Sequence, residues 1–502
     1  MQWGQMVGQR RIKWVWLTAL VSSLVLLLNG WSPMPAQAAV ARHYDQLTFP
    51  PLPEIKLPDY TRFKLSNGLV VYLVEDHELP LVSGSAMIRT GVRLEPAEKA
   101  GLATITGVVM RSGGSQQHPG EELNRLLEQR AASVETGIDT AVGSAGFSGL
   151  SEDLDEIFGL FAEVIRQPAF PQDKIDLVKT QLRGGIARRN DSPDDISGRE
   201  FQKLIYGADS PYARTVEYTT LDRISRSDLV NFHQKYFQPN NMLLGIVGDF
   251  DSAQMRQLIE RKLGDWQADP NVEKPGFAAL PEVRQAKTGG VFLVDQPQLT
   301  QSYIQIGHLG GKLKDEDYTP LAVMNEVLNG FGGRLVNEVR SRQGLAYVVY
   351  AYWSPRFDYP GVFVSGGQTR SEATVPFIQS VLAEIQKVRT TPITAEELQQ
   401  AKEAVLNQFV FNFQTPGQTL SRMMRYEYYD YPRDFIFRYR REVEATTPAD
   451  IQRAAQRHLK PEHLVTLVVG NNAAITPSLS TLKPGQPVIP IDITIPPDPK
   501  NT

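Results

Sequence analysis

A duplicated α+β domain is the fold class this sequence predicts, and three observations predict it. The first is length, since 502 residues exceed what one ordinary hydrophobic core organises. The second is a mixture of short β-branched and aromatic runs with longer stretches of helical period. The third is internal repetition. Arg226 to Gly248 lies over Pro448 to Gly470 at an offset of 222, with Asp228 over Asp450, Pro239 over Pro461, Val247 over Val469 and Gly248 over Gly470. Ala162-Glu163 falls over Ala383-Glu384 at nearly the same offset. A helix, a proline turn and a glycine-ended strand recurring in the same order mark a repeated structural unit.

Residues 1–38 read as a signal peptide. Arg10, Arg11 and Lys13 precede the apolar run Val15 to Leu28, and Ala36-Gln37-Ala38 offers small residues for cleavage. The run is too short for a comfortable membrane span, although an uncleaved leader would anchor the chain. Export to the periplasm, or to the thylakoid lumen of a photosynthetic bacterium, is the expected localisation. The absence of cysteine removes disulfide frameworks, thiolate nucleophiles and thiolate metal sites. A net charge of −4 without basic runs argues against a nucleic-acid partner.

After an N-terminal extension (39–59), the first domain runs over 60–265. FKLSNGLVVYLVEDHELPLVSGSAMIRTG carries strand-like runs between polar turns, and AGLATITGVVM and EELNRLLEQRAAS have helical period. GIDTAVGSAGFSGLSED alternates small and polar residues as a strand does, and two helical stretches follow it to about residue 189. SPDD at 192–195 reads as a helix start, and Ser225 or Ser227 caps the last helix before a buried strand. Residues 266–287, with prolines at 270, 275 and 281, form a linker. The second domain occupies 288–473. The tail 474–502 is too proline-rich for a helix or a central strand, and too rich in isoleucine for pure linker. It is either an extended arm on the body or on a partner, or a loose end.

Within the second domain, GFGGRLVNEVRSRQGLAYVVYAY (330–352) reads as glycine loop, short helix, glycine stop and strand. Leu335, Val336 and Val339 fall at helical spacing, and Gly344 is placed to close the helix in the left-handed conformation. Arg340 leaves the end of that helix and Tyr347 enters the next strand, so a tight reversal brings guanidinium and phenol to one surface. Alternation turns Tyr350 to the face opposite Tyr347. Gly330, Gly332 and Gly333 suit either the approach of a substrate backbone or ordinary helix punctuation.

This stretch resembles the C-terminal half of the pitrilysin and mitochondrial-processing-peptidase family, zinc peptidases with an inverted H-x-x-E-H motif. An arginine and a tyrosine separated by six residues reach the active site in that family, as Arg340 and Tyr347 are spaced here. The resemblance spans roughly Phe63 to Gly470. It implies two homologous tandem domains, each an antiparallel-rich sheet covered by helices. It also implies where zinc should be held. The family's H-x-x-E-H follows a G-L-A step, and here Gly101-Leu102-Ala103 is followed by Thr104, Gly107 and Val108 at the two histidines and the glutamate. Aligned on the proline of NDSPDD, Gly184 and Gly185 stand at the distal glutamate. None of the five can ligate a metal or activate water. The seven histidines (43, 77, 118, 233, 308, 458 and 463) offer no i, i+4 pair in compensation. No G-x-S-x-G motif occurs.

The resemblance therefore implies the non-catalytic member of a heteromeric zinc metalloendopeptidase. Such a chain holds no cofactor itself, and zinc resides in a homologous H-x-x-E-H subunit. Arg340 and Tyr347 would assist that partner's site, on a peptide or unfolded-protein substrate. The alternative is an inactive scaffold or a peptide- or protein-binding module.

Overall fold

The computed structural model describes residues 55–270 and 282–500. The signal segment, most of the N-terminal extension, the middle of the linker and His43 lie outside the described residues. Strands run β1 Thr61–Lys64, β2 Val70–Glu75, β3 Leu81–Ile88, β4 Ser133–Ile138, β5 Gly143–Leu150, β6 Met242–Gly248, β7 Val291–Asp295, β8 Gln301–Leu309, β9 Ala346–Ser354, β10 Val362–Arg370, β11 Val465–Gly470 and β12 Val488–Pro490. Helices in the first half are α1 Leu102–Gly113, α2 Gly120–Glu128, α3 Leu154–Arg166, α4 Gln172–Ala187, α5 Pro193–Tyr206, α6 Tyr218–Asp222, α7 Arg226–Tyr236 and α8 Ser252–Leu263. Those in the second are α9 Tyr318–Asn329, α10 Thr374–Thr390, α11 Ala395–Val410, α12 Pro416–Tyr428, α13 Phe435–Ala445 and α14 Pro448–His458. Among the described residues no helix is long and apolar enough to cross a membrane.

The strands form two six-stranded sheets, β1-β2-β6-β3-β5-β4 and β12-β7-β11-β8-β10-β9. Five positions, from β2 to the β4 edge and from β7 to the β9 edge, correspond one to one. β6 lies parallel to β2 and antiparallel to β3, and β11 lies parallel to β7 and antiparallel to β8. The repeated sequence unit is thus α7 with β6 and α14 with β11. Both helices open with a capping box, Ser225 with Asp228 and Thr447 with Asp450. Each sheet packs one face on helices of its own half. Leu102, Ile105 and Val109 of α1 join Ile157, Phe158 and Phe161 of α3 in the first core. Leu321, Met324 and Leu328 of α9 join Phe377 and Ile378 of α10 in the second.

The opposite face of each sheet is covered by a helix from the other half. Ile196, Phe201, Leu204 and Ile205 of α5 cluster with Val294, Leu467 and Val469 of the second sheet. Leu420, Met424 and Tyr428 of α12 cluster with Tyr72, Val74 and Leu243 of the first. Each crossing helix seats a bulky side chain over a strand glycine. A Cβ on Gly245 would lie 2.2 Å from Met424 Sδ, and one on Gly307 would lie 2.8 Å from the Phe201 ring. Polar contacts join the halves as well. Buried Arg93 pairs with Asp358 at 2.6 Å, the Tyr206 hydroxyl donates to the Pro360 carbonyl at 2.8 Å, and Tyr428 donates to Ile88 and Ala141.

The tail lies on the body. β12 adds to β7 as a parallel edge strand, and the Ile491 N–H donates to the Leu293 carbonyl at 2.8 Å. Pro490 is tolerated because edge strands do not need every N–H in the ladder. Beyond it, Ile491, Ile493 and Ile495 alternate with exposed residues and turn inward. Asn190 donates to the Ile493 carbonyl at 2.6 Å, and Arg183 pairs with Asp498. The tail therefore starts on the second sheet and ends on the helices of the first half.

Two histidines are buried as neutral groups. His233 bonds the Ile165 carbonyl at 2.9 Å, and His308 Nε2 accepts from the Lys460 N–H at 3.1 Å. Burial pushes both imidazoles down to about 4. Since both folded-state values lie below the unfolded value, their contribution is complete above about pH 6.5 and is lost as pH falls from there towards 4. At pH 5 this amounts to about 2 kcal/mol per imidazole. The urea midpoint should accordingly fall between pH 7.5 and 5.0, and an unchanged midpoint would mean that the folded chain accepts those protons. Ending the chain after Pro487 should lower the midpoint at pH 7.5 by about 3 kcal/mol of stability, from three half-buried isoleucines at about 1 kcal/mol each. A truncated chain as stable as the full one would show that the arm contributes no net stability.

Candidate functional site

The segment from Gly330 to Tyr347 departs from regular structure three times. After α9, Gly330, Gly332 and Gly333 make a tight loop, closed by the Gly333 N–H on the Gly330 carbonyl at 2.6 Å, with Gly332 at φ 83°. Phe331 is carried at its tip, fully exposed. The helix that follows is a π-type helix over Val336–Arg342. Leu335 and Val339 are buried in the second core, and Gly344 ends the segment at φ 63°. Wide helical turns of this kind reposition side chains and recur at functional sites. Arg334 anchors the segment to Glu397 through two hydrogen bonds of 2.7 and 2.9 Å. That contact holds the Glu397 carboxyl down to about 2.

The third departure is a bulge. β10 pairs Gln368 with Val348 and Thr369 with Ala346, so Tyr347 is left out of the ladder. Simple alternation breaks at this point: Tyr347 and Val348 are both exposed, and the buried side begins at Val349. Tyr347 is 79% exposed. The Arg340 guanidinium carbon lies 4.7 Å from the centre of its ring. The cation and the phenol stand together, with no other hydrogen-bond or ion-pair partner among the described residues. Tyr350 stacks instead on Tyr352 along the strand, 6.0 Å between centres.

β9 is an edge strand, and two asparagines one turn apart on α9 close part of that edge. Asn329 donates to the Ala351 carbonyl at 2.5 Å and accepts its N–H at 2.7 Å; Asn325 does the same for Trp353 at 3.0 and 2.7 Å. The backbone beyond Ala351 is thereby occupied, and the end next to Tyr347 is left open. Sequence reasoning missed this pair. Its signal was Asn-x-x-x-Asn on a helix directly before the glycine loop.

The positions that the resemblance aligns with the family's metal site lie on α1 and α4. α1 begins under a buried carboxylate, because Glu95 accepts from the Gly101 and Ala103 N–H groups at 3.0 and 2.8 Å. Thr104 and Val108 stand one turn apart, Val108 exposed, and neither carries a zinc donor of the family type. Gly107 is buried against β4. A Cβ there would lie 2.8 Å from the Ile138 nitrogen, and the Gly107 carbonyl already accepts from Thr136 Oγ1 at 2.6 Å. The place of the family's glutamate is thus filled by strand backbone. On α4, Gly185 faces open space and Gly184 has only the Arg188 guanidinium near it. These residues do not fit a zinc ion.

Three further histidines are engaged elsewhere. His77 pairs with Asp249 and Glu75, His118 with Glu163, and His458 with Asp317. Among the described residues no group of three or more His, Asp or Glu side chains is arranged to hold a metal.

Two family models match the chain. Residues 70–209 match one described as insulinase, peptidase family M16, and residues 223–405 match one described as the peptidase M16 inactive domain. A protein of Helicobacter pylori (strain ATCC 700392 / 26695), named a non-peptidase homolog, YmxG, is 25% identical over 403 residues, covering 79% of this chain and 90% of its own length. The mitochondrial-processing peptidase subunit alpha of Caenorhabditis elegans is 22% identical over 433 residues, covering 79% of this chain and 82% of that protein. The crystal structure of a peptidase M16 inactive domain from Pseudomonas fluorescens superposes with a TM-score of 0.74 at 23% identity, over 84% of this chain and all of that one.

The packing around the two glycine positions makes opposite predictions for the same substitution. Gly107→Ala should destabilise by about 1–2 kcal/mol, since backbone must shift to admit the methyl and a helix gains less than that from alanine. Gly185→Ala, exposed in a helix interior with nothing nearby, should stabilise by about 0.5–1 kcal/mol. Chemical denaturation of the two variants checks this. Equal shifts of one sign would mean that β4 does not press on α1 as described.

Proposed function

The chain belongs to the M16 peptidase family, and we propose that it is the non-catalytic subunit of an exported heteromeric zinc metalloendopeptidase. Its role is to present Arg340 and Tyr347 to a peptide held at the zinc site of a homologous H-x-x-E-H subunit. One observation carries this reading. A guanidinium and a phenol stand side by side, exposed and otherwise unpaired, in a chain whose own metal positions hold only threonine, valine and three glycines. The name of the Helicobacter relative, a non-peptidase homolog, supports the inactive half of the reading. The processing-peptidase alpha subunit, by its name one part of a larger enzyme, supports the heteromeric half.

Zinc in the partner would supply the activated water. This chain's part is to bind and orient the peptide, with Arg340 N–H and Tyr347 O–H donating to the carbonyl oxygen as it gains negative charge. Such preorganised donors are worth about 3 kcal/mol, two to three decades in rate. The glycine loop allows close approach of a peptide backbone beside exposed Phe331. Export rests on the leader sequence, and places the enzyme in the periplasm or a thylakoid lumen.

The purified chain alone should neither cleave peptides nor retain stoichiometric zinc, and mixing with its H-x-x-E-H partner should generate endopeptidase activity. Arg340→Ala and Tyr347→Phe should each lower kcat/KM about a hundredfold, with assembly unchanged by gel filtration. Full activity in both variants would remove the pair from catalysis. Failure of any homologous subunit to become active on mixing would leave the scaffold reading.

A further inference from the structure

We propose that a separate recess, where the first strands meet α12, binds an α-amino-acid unit with an apolar side chain, either free or as the C-terminal residue of a peptide. The recess encloses about 200 Å³. That is below the roughly 300–1,000 Å³ of pockets for drug-sized ligands, and sets the occupant at the scale of one residue. No residue of the Arg340–Tyr347 site lines it, so the two readings stand or fall separately.

Four tyrosines give the recess its walls. Tyr60 and Tyr72 come from the first half with ring centres 5.9 Å apart, and Tyr426 and Tyr431 from the second at 6.1 Å. Ring faces of this kind take an apolar body. Between them lies a charged network that is satisfied only in part. Arg62 gives Nε and Nη2 to the Glu427 carboxylate at 3.0 and 2.6 Å, and the Tyr72 hydroxyl donates to the same carboxylate. Glu427 thus accepts three bonds from Arg62 and Tyr72, while Arg62 keeps Nη1 free to donate.

Two further charged side chains line the recess, Asp430 and Arg433, and neither has a hydrogen-bond or ion-pair partner among the described residues. The uncommitted groups are thus two guanidinium donors and one carboxylate. A simple anion meets repulsion from Asp430, and a simple cation meets Arg62 and Arg433. A carboxylate that carries an N–H donor on its α-carbon satisfies all three. Asp430 also holds the left-handed conformation, φ 56°, where glycine would cost less. That conformation closes α12, with the Asp430 N–H donating to the Glu427 carbonyl at 3.3 Å and the Tyr431 N–H to the Tyr426 carbonyl at 2.8 Å.

Titration calorimetry and thermal shift on the full chain test the proposal with five probes: L-phenylalanine, L-phenylalaninamide, 3-phenylpropionate, and the tripeptide Gly-Gly-Phe with a free or an amidated terminus. Saturable binding of L-phenylalanine or of the free-acid tripeptide is expected, weakened at least tenfold by amidation and by Arg433→Ala. Asp430→Gly should weaken L-phenylalanine about tenfold while strengthening 3-phenylpropionate, which then no longer meets a like charge. Its melting temperature should be equal or higher, because glycine suits that backbone. Phenylalanine alone binding identifies a free amino acid as the occupant, and the tripeptide alone identifies a peptide terminus. Absence of saturable binding by all probes, equal binding of amidated and free acids, or indifference to Arg433→Ala overturns it.

Discussion

The exchange of one helix between the halves is the constraint on which the rest of this structure depends. A six-stranded sheet has two faces, and helices of its own half cover only one of them. α5 and α12 supply the missing covers, each from the other side of the molecule. Met424 over Gly245 and Phe201 over Gly307 set the depth of each contact, because no larger residue leaves room at either strand. Neither half can therefore bury its sheet alone. The buried Arg93–Asp358 pair lies between them, with Arg93 Nε and Nη1 and Asp358 Oδ1 lacking partners. A buried pair so incompletely satisfied adds little net stability, and its better-attested effect is to fix register. The tail works in the same sense, tying the edge of the second sheet to the helices of the first half.

Held in this frame, the second half presents its arginine and tyrosine by giving up regularity. A π-type helix carries Arg340, a bulge carries Tyr347, and a glycine loop carries Phe331. Each device costs backbone regularity, and they occur within 18 residues of one another. The asparagine clamps of α9 protect the rest of the edge strand from pairing, so the irregular end is also the accessible end. Departures from local rules concentrated at one surface, within a chain otherwise consistent, are where function is expected.

Much of this was legible in the sequence. Capping residues, helical period and proline turns located the cap at Ser225 or Ser227, of which the structure uses Ser225, and the repeated helix–strand unit, because those signals act within a few residues. The Arg340–Tyr347 reversal was legible for the same reason, through Gly344. What was not legible depends on distant partners. α5 showed only its start at SPDD, and nothing in its apolar face says whose sheet it covers. The bulge at Tyr347 is invisible because β10, not β9, imposes the register shift. In the tail, isoleucine alternation was present, but proline hid it as a strand signal until β7 offered an edge that needs few N–H groups. The Tyr60–Tyr431 recess joins residues more than 350 positions apart, beyond any local pattern.

The two helices that the resemblance aligns with the family's metal site differ in kind. At Gly184 and Gly185 the space beside the helix is open, and a side chain placed there would meet no backbone. At Gly107 the space itself is gone, because β4 backbone sits where a carboxylate stem would begin. Restoring histidines at 104 and 108 would bring back ligands without room for the base between them. A strand closed over Gly107, together with an arginine and a tyrosine held exposed on the other half, is the combination that the proposed role beside a partner's zinc site requires.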